Sequence, residues 1–338
     1  MSEVSRASIK KTEAQVEMLE HFGLKIVFLD PIGVAIFNAD LVANEIPEAK
    51  LTDAIEWIMA DKGFVVFKGD MPLRVEDFLR VSCWWGGKAL LSTHSVHPAT
   101  PDGNPHIFRL SNDASQGIVG VGPQWHNDGS FIAETFSHAG YHMVRPAENG
   151  GGTFFCHQAK AFDALRLEQK EYWGRLSSVN ATSGAVHPLV HEHPTLRRNC
   201  VWLHLGMTGA VIERLPDEKG FRLLNERELK DLCHQYNELL NSGLTEGYSI
   251  KYEYDENDCL FIDNLTVAHR AASEAHASPD SQGLRIMHRS TVKGVHLLSP
   301  GFGLPPFFDI HASSPFGEGV WLSGGIGFRW DAEAKMQN

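Results

Sequence analysis

Trp125-His126-Asn127-Asp128-Gly129 places an imidazole and a carboxylate two residues apart. In an extended segment such side chains point to the same side, so both can reach one metal ion. The pair alone carries little weight. With 18 histidines in 338 residues, roughly one His-x-Asp is expected by chance. A third ligand is expected well downstream, on a strand brought back beside the first. His269 fits that place: it closes Asp263-Asn264-Leu265-Thr266-Val267-Ala268-His269, which continues the apolar run Cys259 to Ile262. Two imidazoles and one carboxylate on one face of an octahedral ion leave three positions open, the facial arrangement of iron(II) oxygenases. The lack of thiolate argues against structural zinc.

Arg285 and Arg289 lie four apart in the strand-like run Leu284 to Val292, and that spacing puts both on one face. A buried arginine needs an anion, and a carboxylate matches its planar fork. No protein carboxylate stands out as the partner of both, so ligand carboxylates are expected.

The elements that must position these residues are mostly strands. Strand-like runs recur at Leu24 to Leu29, Gly63 to Phe67, Gly140 to Val144, Thr153 to Cys156, Cys200 to Leu205, Tyr248 to Tyr254, Cys259 to Ile262 and Leu284 to Val292. Several are rich in the aromatic and β-branched residues that favour strands. Leu51, Ala54, Ile55, Ile58 and Met59 form one helical stripe, and Leu229, Leu232, Cys233, Tyr236, Leu239 and Leu240 form another. Asn225, with Glu228 three residues on, is placed to cap the second. Shorter helices are expected over Val75 to Val81 and from Ala159 to about Leu167. Strands outnumber helices, so the expected fold is mostly β with flanking helices: an antiparallel, jelly-roll, cupin-like core. Neither an internal repeat nor a low-complexity linker divides the chain, and one domain over 1–338 is expected.

A net charge of -12 argues against a nucleic-acid surface. It does not exclude a small anionic substrate, because a few local arginines outweigh the global sign. No apolar run approaches the ~20 residues of a membrane span. The polar N-terminus lacks the pattern of a secretory or transit leader, which leaves the cytoplasm as the expected location. The five cysteines are odd in number and lack Cys-x-x-Cys spacing, so reduced, mostly buried thiols are expected.

Taken in order, these motifs resemble the TauD/TfdA family of taurine dioxygenase-like enzymes, from about Leu24 to Leu298. The likeness runs through Ile32-Gly33-Val34 to Asp40-Leu41, Gly63-Phe64-Val65-Val66-Phe67, His97-Pro98 and Trp125-His126-Asn127-Asp128. It continues through Gly150-Gly151-Gly152-Thr153 and His187-Pro188 to His193-Pro194. It ends on Asp263-Asn264 to His269 and Arg285-Ile286-Met287-His288-Arg289. The resemblance implies a double-stranded β-helix using iron(II), 2-oxoglutarate and dioxygen. It implies His126, Asp128 and His269 as metal ligands, and Arg285 and Thr153 as the holders of the distal carboxylate of 2-oxoglutarate. It also implies Arg289 and His97 as residues facing an anionic substrate. On this basis 1–22 is a leader segment, 23–298 the catalytic core and 299–338 an extension packed on it. That extension, and the segment from His106 to Gln124, depart from the taurine type.

The implied reaction is oxidation of a C–H bond by hydroxylation, desaturation or ring closure; Asp128 argues against halogenation. A biosynthetic amino-acid-like substrate, with ring closure of the kainoid-synthase kind, competes with a taurine or sulfonate substrate. A non-catalytic sensor of metal and 2-oxoglutarate and a zinc hydrolase are the readings from other classes. His187, His191 and His193 are read as structural rather than as a second metal site. Trp84 and Trp85 are read as core or interface rather than as a substrate platform. The tail aromatics Trp321, Phe328 and Trp330 are expected to cover the pocket or to build a contact of a homo-oligomer.

Overall fold

The strand-like runs pair into four sheets in the computed structural model, which describes residues 3–42, 48–69, 71–216, 220–295, 297–299 and 301–322. The largest sheet has seven strands in the order Lys25–Phe28, Val34–Phe37, Phe64–Phe67, Cys259–Asp263, Phe136–Arg145, Ile286–Lys293 and Phe108–Ser111. Its pairings are antiparallel except that of Val34–Phe37 with Phe64–Phe67. The parallel pair needs a crossover, and the helix Ala49–Lys62 supplies it. A three-stranded sheet of Ser249–Tyr252, Thr153–His157 and Val267–Ala271 packs against the large one. Phe155 of the small sheet meets Phe64 and Tyr141 of the large sheet at ring separations of 5.0 and 6.3 Å. Val66, Ala139, Leu260, Ile262 and Val267 fill the same apolar layer.

Helices Ala49–Lys62 and Val75–Ser82 cover the other face of the large sheet. Phe78 and Trp85 lie 6.0 and 5.0 Å from Phe261, and Trp84 lies 5.8 Å from Phe67. Both tryptophans therefore belong to this helix-side packing. The helix Glu226–Glu246 starts at the expected cap: Asn225 Oδ1 accepts from Glu228 N at 3.0 Å, and Glu228 Oε2 accepts from Asn225 N at 2.8 Å. Four of the five cysteines are buried and none is in a disulfide. Burial pushes the Cys156, Cys200 and Cys233 thiols up to about 12. No helix among the described residues is long and apolar enough to cross a membrane.

A four-stranded sheet of Phe221–Leu223, Thr208–Arg214, Leu176–Asn180 and Val186–Pro188 stands beside this core. The described part of the tail, as far as Leu322, packs on it. Phe307 bridges Ala185, Leu322 is buried, and Trp321 meets Phe308 edge-on while its indole N–H donates to Ala312 O at 2.9 Å. Phe328 and Trp330 lie outside the described residues.

Three local expectations need correction. The N-terminal segment forms the helix Glu3–His21 and is built into the fold. Leu19 is fully buried; the hydroxyl of Thr12 accepts from the Trp57 indole and donates to Asp61. Its apolar face is sparse, with Leu19, Val16 and Met18 meeting the core, so no broad apolar stripe announced it. The helix expected to reach Leu167 ends at Ala164, and a second helix covers Leu167–Trp173. The expected strand Cys200 to Leu205 is paired only over Asn199–Val201, because the chain then turns inward to place His204 beside His126.

Candidate metal centre

His126 and His269 exchange both backbone hydrogen bonds, at 3.0 and 2.9 Å. Directly opposed residues on paired segments present side chains to the same face. The two imidazole rings accordingly lie 4.1 Å apart between centroids. Asp128, two residues on from His126, brings Oδ1 to 4.0 Å from His126 Nε2 and Oδ2 to 3.8 Å from His269 Nε2. All three side chains are buried, and one ligand atom from each lies within 4.8 Å of the others. His126 Nδ1 is 2.7 Å from Gln124 O. A carbonyl can only accept, so Nδ1 carries the proton and Nε2 offers its lone pair to the centre.

Electrostatics favours the same protonation states. Burial lowers the pKa of His126 and of His269, keeping both imidazoles neutral. Burial opposes the charge of Asp128, but the Arg289 guanidinium, then His269 and His126, hold its carboxyl well below the usual range. Arg289 Nη1 donates to Asp128 Oδ1 at 2.8 Å. The Tyr141 hydroxyl lies within reach of His269 Nε2 (2.9 Å) and Asp128 Oδ2 (3.4 Å). Burial raises the pKa of this phenol, which stays protonated.

Asp128 sits in a loop, and polar side chains fix it there. Asn264 Nδ2 donates to Asp128 O and to Phe136 O, both at 2.8 Å, and its Oδ1 accepts from Asp128 N at 2.9 Å. The Thr135 hydroxyl donates to Asp128 O at 3.0 Å. Asn127, buried between the ligands, faces Gln158 Oε1 and the carbonyls of Asn264 and Val267 within 3.0 Å.

A cavity with about 510 Å³ of empty space joins His126, His269 and Tyr141 to Thr153, Arg285 and Arg289. Arg285 is buried, its Nε has no hydrogen-bond partner, and among the described residues its guanidinium makes one weak side-chain hydrogen bond, Nη2 to Met287 Sδ at 3.8 Å. No carboxylate forms an ion pair with it among the described residues. Gly151, at φ +85°, lets the loop before Thr153 pass close to it: a Cβ there would stand 3.1 Å from Arg285 Cδ. The Thr153 hydroxyl accepts from Tyr254 at 3.1 Å, leaving its own proton free for a ligand. A second cavity, with about 800 Å³ of empty space, borders His126, Asp128 and Arg289 from another side. Phe108, Phe131, Met207 and His204 also line it.

Residues 27–291 match the family described as taurine catabolism dioxygenase TauD, TfdA family. The chain belongs to this family. It is 21% identical over 248 residues to the alpha-ketoglutarate-dependent sulfonate dioxygenase of Saccharomyces cerevisiae, a match covering 65% of this chain and 56% of that protein. This TauD, TfdA family member thus spans little more than half the length of its yeast relative. It also resembles the solved structure of a taurine dioxygenase from Burkholderia xenovorans (TM-score 0.64, 19% identity, 80% of this chain and 91% of that chain). Another similar structure is AAD-2 in complex with Mn(II) and N-oxalylglycine (TM-score 0.61, 19% identity, 82% of this chain and 99% of that chain). At such identities the structures establish a shared fold.

Of the seven residues singled out in the sequence of this TauD, TfdA family member, six meet at the two cavities: His126, Asp128, His269, Thr153, Arg285 and Arg289. Two expectations are corrected. Arg289 does have a protein carboxylate, that of Asp128. His97 lines neither cavity: its Nε2 binds Ala114 O at 3.0 Å and its Nδ1 accepts from Ala99 N at 3.1 Å. The backbone bond from Ser92 N to Thr291 O holds the preceding segment against the arginine strand, so the nearby imidazole is that of His94. His94 Nε2 is 3.1 Å from Thr291 Oγ1 and its ring lies 5.4 Å from Phe108. His187 and His193 hydrogen-bond Ser130 O and Asp263, and with His191 they form no metal cluster among the described residues. Sequence reasoning gave no role to Tyr141, Asn264, His204 or Gln124. Only Asn264 carried a signal, as part of the motif Asp263-Asn264.

Proposed function

We propose that this chain is an iron(II)- and 2-oxoglutarate-dependent dioxygenase. It oxidises a C–H bond of a small anionic substrate while 2-oxoglutarate loses carbon dioxide and becomes succinate. One observation carries the reading: a single cavity joins two candidate metal ligands to Arg285, an enclosed guanidinium with no carboxylate partner among the described residues. A buried unpaired cation is costly, and a dicarboxylate that also reaches the metal relieves it.

His126, Asp128 and His269 would hold the iron, a neutral-imidazole and carboxylate set suited to it. Arg285 would take the distal carboxylate of 2-oxoglutarate through its planar fork, with the Thr153 hydroxyl donating beside it. Iron(II) and 2-oxoglutarate, when bound, supply the activation of dioxygen and the oxidising power for an unactivated C–H bond. The chain's own residues orient and enclose. Tyr141 offers a protonated hydroxyl at the centre, and Asn264 and Thr135 fix the Asp128 loop. Arg289, facing both cavities, is assigned the anionic group of the primary substrate. The large and three-stranded sheets, packed face to face, are assigned as the two halves of a double-stranded β-helix.

The test is succinate formation by the purified protein. It should require iron(II), 2-oxoglutarate and dioxygen together. Zinc restoring activity to a chelated sample while iron does not would establish a hydrolase instead. Binding of 2-oxoglutarate with no succinate across a broad panel of carboxylates and sulfonates would favour a sensor. The intact triad argues against that second outcome, because loss of one ligand is the simple route to a non-catalytic relative.

A further inference from the structure

The two residues assigned to the co-substrate carboxylate are held in different ways. Arg285 is anchored through its backbone: Asn112 Oδ1 accepts from Arg285 N at 2.9 Å, and Ser111 Oγ donates to Arg285 O at 2.8 Å. Thr153 lines the same cavity, but its hydroxyl hydrogen is a rotor that turns to whichever acceptor suits it. It serves a carboxylate only if something aims it.

Tyr254 lies outside the cavity lining and is the side-chain partner of that hydroxyl among the described residues. Its buried phenol donates to Thr153 Oγ1 at 3.1 Å. Burial raises the pKa of this phenol, so its proton stays in place. The bond fills one acceptor site of the threonine oxygen and bars the threonine proton from pointing back at Tyr254. The tyrosine is itself bracketed. It stands two residues beyond Tyr252, which pairs with Thr153 across the strands Ser249–Tyr252 and Thr153–His157. The two tyrosine rings meet edge-on at 5.1 Å. Asp258 Oδ2 closes the turn after Tyr254, accepting from Asp255 N at 2.9 Å and from the Tyr252 hydroxyl at 2.7 Å. Lys68 Nζ pairs with Asp258 Oδ1 at 2.7 Å.

We propose that Tyr254 is a positioning residue for the co-substrate, aiming the Thr153 hydroxyl at the carboxylate that Arg285 takes. This rests on the oxygenase reading and deepens it. Arg285 brings the charge and a planar fork of N–H donors. Thr153, aimed by Tyr254, brings a further donor. Hydrogen bonds in a chain polarise one another, so the Tyr254–Thr153–carboxylate chain holds the anion more tightly than a freely turning threonine does.

The test is calorimetric titration of the Mn(II)-loaded protein with N-oxalylglycine and with oxamate, which keeps the oxalyl end and has no distal carboxylate. Tyr254→Phe, checked as folded by thermal melting, should weaken N-oxalylglycine about three- to tenfold, the loss of one link in the chain. Oxamate affinity should change by less than about 1.5-fold, since the perturbed group is not one it touches. Thr153→Val should weaken N-oxalylglycine about tenfold or more, the loss of a hydrogen bond to a charged group. Adding Tyr254→Phe to Thr153→Val should then cost less than about 1.5-fold, while in Thr153→Ser, which keeps the hydroxyl, the tyrosine effect should return. A tyrosine that only supports the fold would weaken both ligands, with or without the threonine hydroxyl, and either result overturns the proposal. An N-oxalylglycine affinity unchanged in Tyr254→Phe overturns it as well, and leaves the oxygenase reading standing. Failure of N-oxalylglycine to bind the wild-type Mn(II) protein overturns that reading, and the role of Tyr254 with it.

Discussion

Arg285→Met removes the guanidinium while keeping a long, flexible side chain in a buried position. The structure predicts two effects of opposite sign. Without ligand, Arg285 is enclosed with Nε unpartnered, and a buried unsatisfied group costs about 1–3 kcal/mol. Replacing it should therefore leave the metal-free protein as stable or raise stability by about 1 kcal/mol, roughly 2 °C in Tm for a chain of this size. With ligand, the variant loses two charge-assisted hydrogen bonds to a carboxylate, together about 3–4 kcal/mol or two to three orders of magnitude in Kd. In the wild type, N-oxalylglycine at about 100 times its Kd stabilises the Mn(II) protein by about 2.7 kcal/mol. At the same concentration a variant weakened about 300-fold gains only about 0.2 kcal/mol. Thermal melts with and without Mn(II) and N-oxalylglycine read both effects from one sample set. A variant that melts well below wild type without ligand would make Arg285 a structural ion-pair member. One that binds N-oxalylglycine within threefold of wild type would place the dicarboxylate elsewhere. Either result refutes the reasoning.

His126→Ala, Asp128→Ala and His269→Ala should each abolish high-affinity Mn(II) binding measured by calorimetry, while far-UV circular dichroism stays unchanged; retained affinity in any one removes that residue from the ligand set. Asn264→Ala deletes three hydrogen bonds, two of them to Asp128 and one to Phe136, and should weaken Mn(II) binding about 10- to 100-fold, with a loss of about 2–4 kcal/mol in urea unfolding; an unchanged metal affinity would show that the loop holds without it. Burial pushes His138, His142, His187 and His191 down to about 4, and His157 and His288 down to about 3. Their unfolded forms take up protons below about 6.5, so stability is full above that pH and falls towards pH 3–4, at up to about 1.4 kcal/mol per pH unit for each histidine. His142→Leu should flatten that slope in urea unfolding at pH 8, 6.5 and 5, since both ring nitrogens of His142 are enclosed without partners; an unchanged slope would mean that His142 is charged in the fold.

What could be read from the sequence was what repeats along it. The apolar run from Cys259 to Ile262, the strand-like run around Ile286, the helical stripe of Ala54 to Met59 and the Asn225–Glu228 cap are local patterns, and the chain follows them. Arg285 was legible because two arginines in an apolar strand demand an anion. The loops were not legible, since nothing local sets where a loop side chain arrives. His94 and His97 flank one short segment, and only the pairing of Ser92 with Thr291 decides which imidazole stays near Arg289. His204 follows an apolar run that looks like continued strand, and the turn that delivers it is fixed by tertiary contacts, among them Leu205 N donating to Trp125 O. The helix Glu3–His21 was missed for a third reason. Its few apolar contacts, Val16, Met18 and Leu19, are supplemented by Thr12 exchanging hydrogen bonds with Trp57 and Asp61, and a polar residue in the docking face interrupts the hydrophobic period.

The three candidate ligands differ in how they are held, and this explains the polar network around them. His269 lies on a strand, and His126 is locked to it by two backbone hydrogen bonds; this pairing places both rings on one face, and the Gln124 carbonyl further orients that of His126. Asp128 has no such ladder. Its position comes from Asn264, in the turn between the strand that ends at Asp263 in the large sheet and the one that begins at Val267 in the small sheet. The chain between Cys259 and Ala271 therefore does three things: it pairs in both sheets, it carries one ligand, and through one amide side chain it places another. The carboxylate also bears the Arg289 ion pair, and with His126 it borders the second cavity, so the candidate ligand held by side chains rather than by a ladder is one that faces that cavity.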